Sequence, residues 1–211
     1  MSEENRIIET VEHYYSGKLR EHGATPQGVD WNSKESQFLR FAQLVKILPE
    51  EKGDFSLLDY GCGFGSLLDF LRQRGFTGKY TGLDVSDEML AKGRDLYGEG
   101  ETLNWISELS SSETFDFVVA SGIFNVRLTH SDEEWEKYFH STLDQIRFHC
   151  RKGFAFNVLT SYSDAEYMRE YLFYADPSKI FDYCKRKYSK RVALLHDYPL
   201  YEFTVLVRLE D

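Results

Sequence analysis

The sequence contains few cysteines and few prolines, 3 and 4 respectively among 211 residues. Cys62, Cys150 and Cys184 are widely spaced and form no C-x-x-C pair. A disulfide scaffold and a cysteine zinc site are therefore not expected, and we predict no metal. Unpaired cysteines of this kind are typical of a reducing compartment, which predicts a cytoplasmic protein.

Basic residues are outnumbered by acidic ones, 25 against 35, which gives a formal net charge of −10. A nucleic-acid-binding protein needs a basic face, so the charge argues against a nucleic-acid partner. No apolar run reaches the ~20 residues that a membrane-spanning helix needs. The first residues also lack the basic and apolar regions of a signal peptide. We therefore expect neither a membrane partner nor a secretory leader.

Aromatic residues are abundant, with 14 Tyr, 16 Phe and 3 Trp making up 16% of the chain. A chain of this length can build one α/β domain with a sizeable core. Many of the rings must lie in that core. Their number also predicts a pocket that is walled by aromatic side chains.

The most informative stretch runs from Phe55 to Leu71. Its apolar start predicts a buried strand that ends at Asp59. Three alternating glycines then predict a tight turn, and helical spacing of leucines begins at Ser66. A strand, a glycine turn and a helix in this order are typical of a nucleotide-binding βα unit.

The glycine spacing indicates which nucleotide is bound. A dinucleotide-binding turn has the form G-x-G-x-x-G, whereas this turn is G-x-G-x-G with an acid two residues earlier. A carboxylate there repels a pyrophosphate but suits a cation such as S-adenosylmethionine (SAM), which carries an ammonium and a sulfonium. The segment Asp59-Tyr-Gly-Cys-Gly-Phe-Gly65 resembles motif I of the class I SAM-dependent methyltransferases. The alternative is a structural glycine turn in another α/β protein.

The resemblance implies an α/β fold: a seven-stranded, mostly parallel Rossmann-like sheet with an antiparallel last strand and helices on both faces. We predict a single domain over residues 1–211, with an N-terminal helical lid over 1–50 and the core over 51–211. A helical insertion is expected at about 163–188. The terminal strands 192–196 and 201–209 are expected to form a hairpin whose last strand lies between the fifth and sixth strands.

Periodicity and caps predict the other elements. Ser33 is a candidate N-cap for a helix over 34–48, and Asp132 for a helix over 132–150. Residues 164–188 are predicted to be helical in two pieces, broken at Asp176-Pro177. The remaining predicted elements are a helix over 3–22 and strands over 79–85, 102–107, 115–120 and 153–159.

The cofactor site is predicted at the carboxyl ends of the first strands. Asp84 ends the second strand, 25 residues after Asp59, and in the resemblance it matches the acid that accepts hydrogen bonds from the ribose hydroxyls. Its alternative role is a helix cap, although Ser86 is also able to cap. Trp105 or Ile106 is expected to sandwich the adenine, with Asn104, Ser107 and Glu108 as candidates for its amino group. The full predicted set is Asp59, Gly61, Cys62, Gly63, Asp84, Val85, Met89, Trp105, Ile106 and Ser121.

The acceptor side is predicted at the later strand ends and in the lid. His196 is the candidate general base, if the acceptor has a proton to lose; the alternative is a structural histidine. Asn125 is expected either to orient the substrate or to satisfy nearby backbone groups. The predicted substrate residues are Asn125, Arg127, Tyr162, Tyr174, Tyr198 and Trp31.

These features predict a SAM-dependent methyltransferase acting on a small-molecule or sugar-like acceptor at oxygen, as a monomer or homodimer. The alternatives are a non-catalytic SAM-binding regulatory subunit, a nicotinamide oxidoreductase, and a protein or RNA methyltransferase. The segments Gly153-Phe-Ala-Phe-Asn157, Tyr174-Ala-Asp-Pro177 and Leu195-His-Asp-Tyr198 also resemble a group of small bacterial methyltransferases of unassigned acceptor.

Overall fold

The computed structural model describes residues 3–50 and 54–209. Its strands form one sheet in the order β3-β2-β1-β4-β5-β7-β6. The first five strands are mutually parallel, and β7 runs antiparallel to both β5 and β6. The strands are β1 Ser56–Tyr60, β2 Lys79–Leu83, β3 Leu103–Ile106, β4 Phe115–Ala120, β5 Cys150–Leu159, β6 Arg191–Leu195 and β7 Glu202–Arg208. The predicted seven-stranded sheet, with its last strand inserted between the fifth and sixth, is confirmed.

Helices cover both faces of the sheet, as predicted. They are α1 Glu3–His22, α2 Lys34–Leu44, α3 Ser66–Gln73, α4 Asp87–Tyr97, α5 Asp132–Phe148 and α6 Pro177–Lys187. Short 3-10 turns cover Pro26–Val29 and Val45–Ile47. The helix predicted over 34–48 therefore ends at Leu44, and the second 3-10 turn covers most of the remaining residues up to 48.

Two apolar layers hold these helices on the sheet. In β5, Phe154 and Phe156 face a cluster built with α1, α5 and α6, while Ala155 faces a cluster built with α2, α3 and α4. Strand β7 alternates in the same way, with Val205 in the first cluster and Leu206 in the second. This period of two is what a sheet covered on both faces requires.

Helix caps agree with the sequence at α2 and differ at α5. The Ser33 Oγ accepts a hydrogen bond from the Ser36 N–H at 3.1 Å, which confirms the predicted cap. The prediction of Asp132 as the cap of α5 is wrong, because Ser131 takes that position and accepts from the Glu134 N–H at 3.2 Å. The Glu134 carboxylate accepts from the Ser131 N–H in return. This capping box satisfies two backbone donors reciprocally, which favours the cap one residue earlier.

The prediction of a helix over residues 164–176 is wrong. This segment is held by backbone hydrogen bonds to the ends of other elements: the Phe173 N–H donates to Asn125 O at 2.8 Å, and the Ala175 N–H donates to Leu159 O at 2.9 Å. Those long-range bonds compete with the i to i−4 bonds of a helix. Helix α6 alone forms in this region, beginning at Pro177 with Asp176 as its N-cap.

Two further properties concern the described residues. None of the helices in ranges 3–50 and 54–209 has the length and apolar character that crossing a membrane demands. Within the same ranges, no group of three or more His, Cys, Asp and Glu side chains is arranged to hold a metal ion.

Candidate functional site

A cavity of about 430 Å³ lies at the carboxyl ends of β1, β2 and β4. The strand order reverses between β1 and β4, and open α/β sheets bind their ligands at such a switch point. The lining residues, given in chain order, are Ile8, Val11, Tyr15, Val29, Trp31, Gln37, Phe41, Asp59, Tyr60, Gly61, Cys62, Gly63, Ser66, Leu67, Leu83, Asp84, Val85, Met89, Ser107, Glu108, Leu109, Ser121, Gly122, Ile123, Tyr138, Gln145 and His149.

The glycine turn between β1 and α3 forms one wall of this cavity. Gly61 has φ +77° and Gly65 has φ +90°, a region that residues with a side chain rarely adopt. A Cβ on Gly61 would also lie 2.2 Å from the side chain of Ile123. The N–H groups of Gly61 and Cys62 donate to Leu83 O at 2.8 and 2.9 Å, which ties the turn to the end of β2.

Asp84 connects the glycine turn to α4. One carboxylate oxygen accepts from the Gly63 N–H at 2.8 Å, and the other accepts from the Ser86 N–H at 2.9 Å. Ser86 itself caps α4 through the Met89 N–H, so the cap role weighed for Asp84 is taken by Ser86. Each carboxylate oxygen has a second lone pair. The carboxylate therefore keeps acceptor capacity for a ligand in the cavity.

Asp59 is a buried carboxylate on the cavity wall, with only 2% of the residue exposed. One of its oxygens accepts a hydrogen bond from the Tyr80 hydroxyl at 2.6 Å. Burial raises the pKa of Asp59 to about 7, against the opposing effect of the Tyr80 hydrogen bond, and nearby Asp84 adds to the rise. A cation bound beside Asp59 would stabilise its ionised form.

Helix α1 and the loop that follows it cover the cavity. Ser16 and Ser86 share a buried hydrogen bond of 2.7 Å between their hydroxyls, which joins α1 to α4. Farther along, the Tyr14 hydroxyl donates to Asp30 at 2.8 Å. The loop places Val29 against Gly63, because a Cβ on that glycine would lie 3.0 Å from the valine side chain.

A buried polar network stands behind the cavity at the ends of β4, β5 and β7. The Arg40 Nε donates to Glu202 at 2.7 Å, and the Asn157 amide donates to the same carboxylate at 3.1 Å. The Asn157 carbonyl oxygen accepts from the Gly122 N–H at 2.7 Å. The Arg40 guanidinium also stacks on the ring of Trp31 at 4.1 Å. Sequence reasoning missed this network. Its only signal in the sequence was the presence of charged residues, Arg40 and Glu202, within otherwise apolar stretches.

Nine of the predicted site residues line the cavity together: Asp59, Gly61, Cys62, Gly63, Asp84, Val85, Met89, Ser121 and Trp31. Ser107 and Glu108, the candidates for the adenine amino group, line it as well. Asn104 does not, and its side-chain oxygen accepts from the Trp105 N–H at 3.0 Å.

Trp105 and Ile106 lie outside the cavity lining. The Trp105 ring fills a slot made by glycines, because a Cβ on Gly65, Gly82 or Gly93 would lie within 2.7 Å of it. Its indole N–H donates to Gly98 O at 2.9 Å. These contacts make Trp105 part of the core under α4.

The predicted acceptor residues other than Trp31 are not brought to this cavity. The side chain of buried Asn125 accepts from the Leu159 N–H at 3.1 Å, so it pairs with a backbone donor, the second of the two roles expected for it. Arg127 donates to His130 O at 2.6 Å, and the Tyr198 hydroxyl pairs with Thr204 at 2.9 Å. Tyr162 is 71% exposed. Tyr174 lines a separate recess between α5 and α6.

His196 follows β6, the edge strand of the sheet. Its ring packs against those of Tyr162 and Phe203, at 6.0 and 5.9 Å between centroids. Four strand spacings separate β6 from β1, which is about 19 Å across the sheet. The structure therefore does not place His196 beside the cavity.

Sequence reasoning also missed several residues that line the cavity. They lie in helices α1, α2 and α5 and in the loop that follows β3. Among them are Ile8, Gln37, Leu109, Tyr138 and Gln145. A polar Gln37 among the inward residues of α2 was the one signal that could have pointed to a site.

Comparisons with known proteins identify relatives of this chain. The family described as "Methyltransferase domain" matches residues 57–148. A Mycobacterium tuberculosis protein named "Putative methyltransferase Rv1506c" is 53% identical over 154 residues, which is 73% of this chain and 93% of that protein.

Two solved structures share the fold at low sequence identity. Magnesium protoporphyrin IX methyltransferase from Synechocystis PCC 6803, solved with S-adenosylhomocysteine (SAH), superposes with a TM-score of 0.67 at 12% identity, covering 99% of this chain and 100% of that one. The N-methyltransferase NodS from Bradyrhizobium japonicum WM9 gives 0.61 at 14% identity, covering 84% and 98%.

Proposed function

Since the chain belongs to the class I SAM-dependent methyltransferase family, with SAM as its cofactor, we propose that it methylates a small-molecule or sugar-like acceptor at an oxygen atom. The observation that supports a small-molecule acceptor is the ring-walled cavity of about 430 Å³ at the switch point of the sheet. Cavities of this size are typical of small-molecule sites.

The residues around the cavity fit SAM. Asp59 would face the ammonium, the turn from Gly61 to Gly63 would lie along the amino-acid part, and Asp84 would accept from the ribose hydroxyls. The loop at Ser107 and Glu108 would meet the adenine. Ser121 offers a further sign of fit, because its hydroxyl oxygen is buried at the cavity without a hydrogen-bond partner among the described residues. A bound ligand would satisfy that group.

The bound cofactor supplies a methyl group that is already activated by a sulfonium. The chain therefore has to align the acceptor and exclude water, and alignment alone contributes as much as ~7–11 kcal/mol in well-oriented reactions. Residues of helix α1, together with Val29 and Trp31, line the cavity and would help to exclude water from the bound cofactor. The acceptor hydroxyl must release its proton as its oxygen takes the methyl group, and because His196 lies away from the cavity that proton would pass to solvent rather than to His196.

Binding is the first test of this function. We expect SAH to bind with a micromolar or tighter Kd by isothermal titration, because both carboxylates and the glycine turn are already in place. NAD is expected to give no heat, since Asp59 would repel its pyrophosphate. Binding of NAD without binding of SAH would contradict the assignment.

The acceptor class is tested by transfer of label. Incubation with methyl-tritiated SAM and a cell extract should place label in the small-molecule fraction, and NMR of the purified product should show an O-methyl signal. Label found only in protein or RNA would refute a small-molecule acceptor, and an N-methyl signal would refute methylation at oxygen.

The pKa of Asp59 predicts a pH dependence of SAH binding. Below about 7 the carboxyl is mostly protonated in the free protein, so binding an ammonium must release that proton. Affinity should rise by up to about tenfold per pH unit on approaching 7 and then level off. Titrations with SAH and with 5′-methylthioadenosine, which lacks the ammonium, check this. The dependence should vanish for 5′-methylthioadenosine and for Asp59→Asn, and a flat SAH profile in the native protein would contradict it.

A further inference from the structure

Exposed apolar side chains are concentrated on one surface of the molecule. Of the eight large apolar side chains that are exposed among the described residues, five are Tyr162, Tyr167, Met168, Tyr171 and Tyr201, with exposed fractions from 36% to 71%. We call these five residues the tyrosine surface. Grouped exposure of this kind marks a binding site more often than scattered exposure does. The inference that follows rests on the proposed function.

Contacts within the tyrosine surface hold its rings in place. Tyr167 packs on Tyr201 at 5.7 Å between ring centroids. The Tyr201 carbonyl oxygen accepts from the Thr160 N–H at 3.1 Å, which brings this pair close to Tyr162. Tyr162 packs in turn on His196 at 6.0 Å. Rings that are already fixed lose little conformational entropy when a ligand binds to them.

The tyrosine surface lies at the same edge of the sheet as the cavity. Tyr162 follows β5 and Tyr201 precedes the antiparallel β7, so both lie beyond the carboxyl end of β5. On the side nearer the cavity, the Leu128 N–H in the loop after β4 donates to Tyr171 O at 2.9 Å. Three strand spacings separate β4 from β6, which is about 14 Å. A ligand that extends from the cavity across this surface is therefore longer than a single ring.

The surroundings of the tyrosine surface are acidic. The nearby exposed acidic residues are Asp164, Glu166, Glu170 and Asp197. Arg169 is basic, but its guanidinium donates to the carbonyl oxygens of Glu166 and Met168. An anionic ligand, such as a phosphate-bearing chain, would be repelled by these carboxylates. A second copy of this chain would be repelled as well, because a two-fold dimer places the same surface on both partners.

A neutral chain of sugar rings fits these features. The C–H groups of a sugar ring are weakly electropositive, so they pack favourably on the electronegative face of an aromatic ring. Sugar hydroxyls donate hydrogen bonds, and an ionised carboxylate accepts them. Each sugar that packs on a tyrosine would therefore also find acceptors among the acidic residues beside it. Every sugar residue also offers hydroxyl groups, as methylation at oxygen requires.

We propose that the acceptor is a neutral oligosaccharide, with its terminal sugar at the cavity and the following sugars on the tyrosine surface. The methyl group passes from the SAM sulfur to a hydroxyl oxygen of the terminal sugar. The carbon–sulfur bond breaks as the carbon–oxygen bond forms, SAH leaves, and the hydroxyl proton goes to solvent. Tyr162 and Tyr167 determine which acceptor is bound and take no part in the transfer.

The first test identifies the labelled product. The full chain is incubated with methyl-tritiated SAM and an extract of the source organism, and the small-molecule fraction is separated by charge and size. Label should elute with neutral saccharides of two or more residues and should appear in an O-methyl monosaccharide after acid hydrolysis. Label that is absent from neutral saccharides, or present in a free monosaccharide before hydrolysis, would overturn the proposal. Label in another small molecule would leave the proposed function standing, whereas failure to bind SAH would refute that function itself.

Variants test whether the tyrosine surface recognises this product's precursor. Tyr162→Ala and Tyr167→Ala should each raise the concentration of the saccharide fraction that gives half-maximal labelling by about 3- to 10-fold. The maximal rate and the Kd for SAH should stay near native. Phe148→Ala removes a similarly exposed ring from the last residue of α5 and should change none of these quantities.

Two results with these variants would overturn the proposal. The first is a half-maximal concentration within about twofold of native in both tyrosine variants. The second is a native dimer, seen by gel filtration, that the tyrosine variants abolish, because a second copy of the chain would then occupy the surface.

Discussion

Asp84→Ala is expected to weaken SAH binding by about 100-fold or more, because hydrogen bonds to a charged group contribute about 1.5–3 kcal/mol each and two ribose hydroxyls lose their acceptor. The substitution also removes the acceptor of the Gly63 N–H. The glycine turn would then lose the link to the end of β2 that the Asp84 side chain provides. Isothermal titration measures the change directly.

Two comparisons make this result specific. 5′-Methylthioadenosine shares the ribose with SAH, so Asp84→Ala should weaken both ligands by a similar factor. Asp87→Ala removes an exposed carboxylate three residues away and should leave both affinities near native. An Asp84→Ala protein that binds SAH within about threefold of native would mean that the ribose is not held by this carboxylate.

The half of the site at β1 and β2 could be predicted because its information is local. Asp59, Gly61 and Gly63 occupy one strand and its turn, and the glycines are required there by positive φ and close contacts. Asp84 follows at the next strand end, and parallel strands bring their carboxyl ends to the same edge. A strand, a turn and an acid thus determine their relative positions without knowledge of the rest of the chain.

The orientation of Trp105 could not be predicted in the same way. Strand alternation says that Trp105 and Ile106 point to opposite faces, but not which face carries α4. In the fold Trp105 pairs in register with Gly82 and packs against Gly93 of α4. Glycines at three separated positions form its slot, and nothing in the sequence connects them before the helices are placed.

The acceptor side was harder to predict because competing backbone bonds decide it. Asn125 follows a strand in the expected place, yet its side chain is used by the Leu159 N–H and its carbonyl oxygen by the Phe173 N–H. The same kind of bond keeps residues 164–176 out of a helix. Such bonds join positions tens of residues apart, and local periodicity contains no information about them.

The Arg40–Glu202 pair also could not be predicted from local sequence, because its members are 162 residues apart. Disrupting this pair is expected to have the largest effect on stability. Arg40→Met should lower the free energy of unfolding by about 3–5 kcal/mol, because it leaves Glu202 as an unpaired buried carboxylate. The double variant Arg40→Met/Glu202→Gln should recover most of that loss, since a neutral amide needs no counter-ion. Urea denaturation of the native protein and the two variants measures both steps.

The loss should also depend on pH, in a direction that identifies its cause. Burial raises the pKa of Glu202, while Arg40 and the Asn157 hydrogen bond oppose the rise. Removing Arg40 raises this pKa further, so the folded variant takes up a proton that the unfolded chain releases near its ordinary value. When the pKa of a group is higher in the folded than in the unfolded protein, the free energy of unfolding decreases as pH increases. The deficit of Arg40→Met should therefore be larger at about pH 8 than at about pH 5, whereas a deficit caused by lost packing alone would be the same at both.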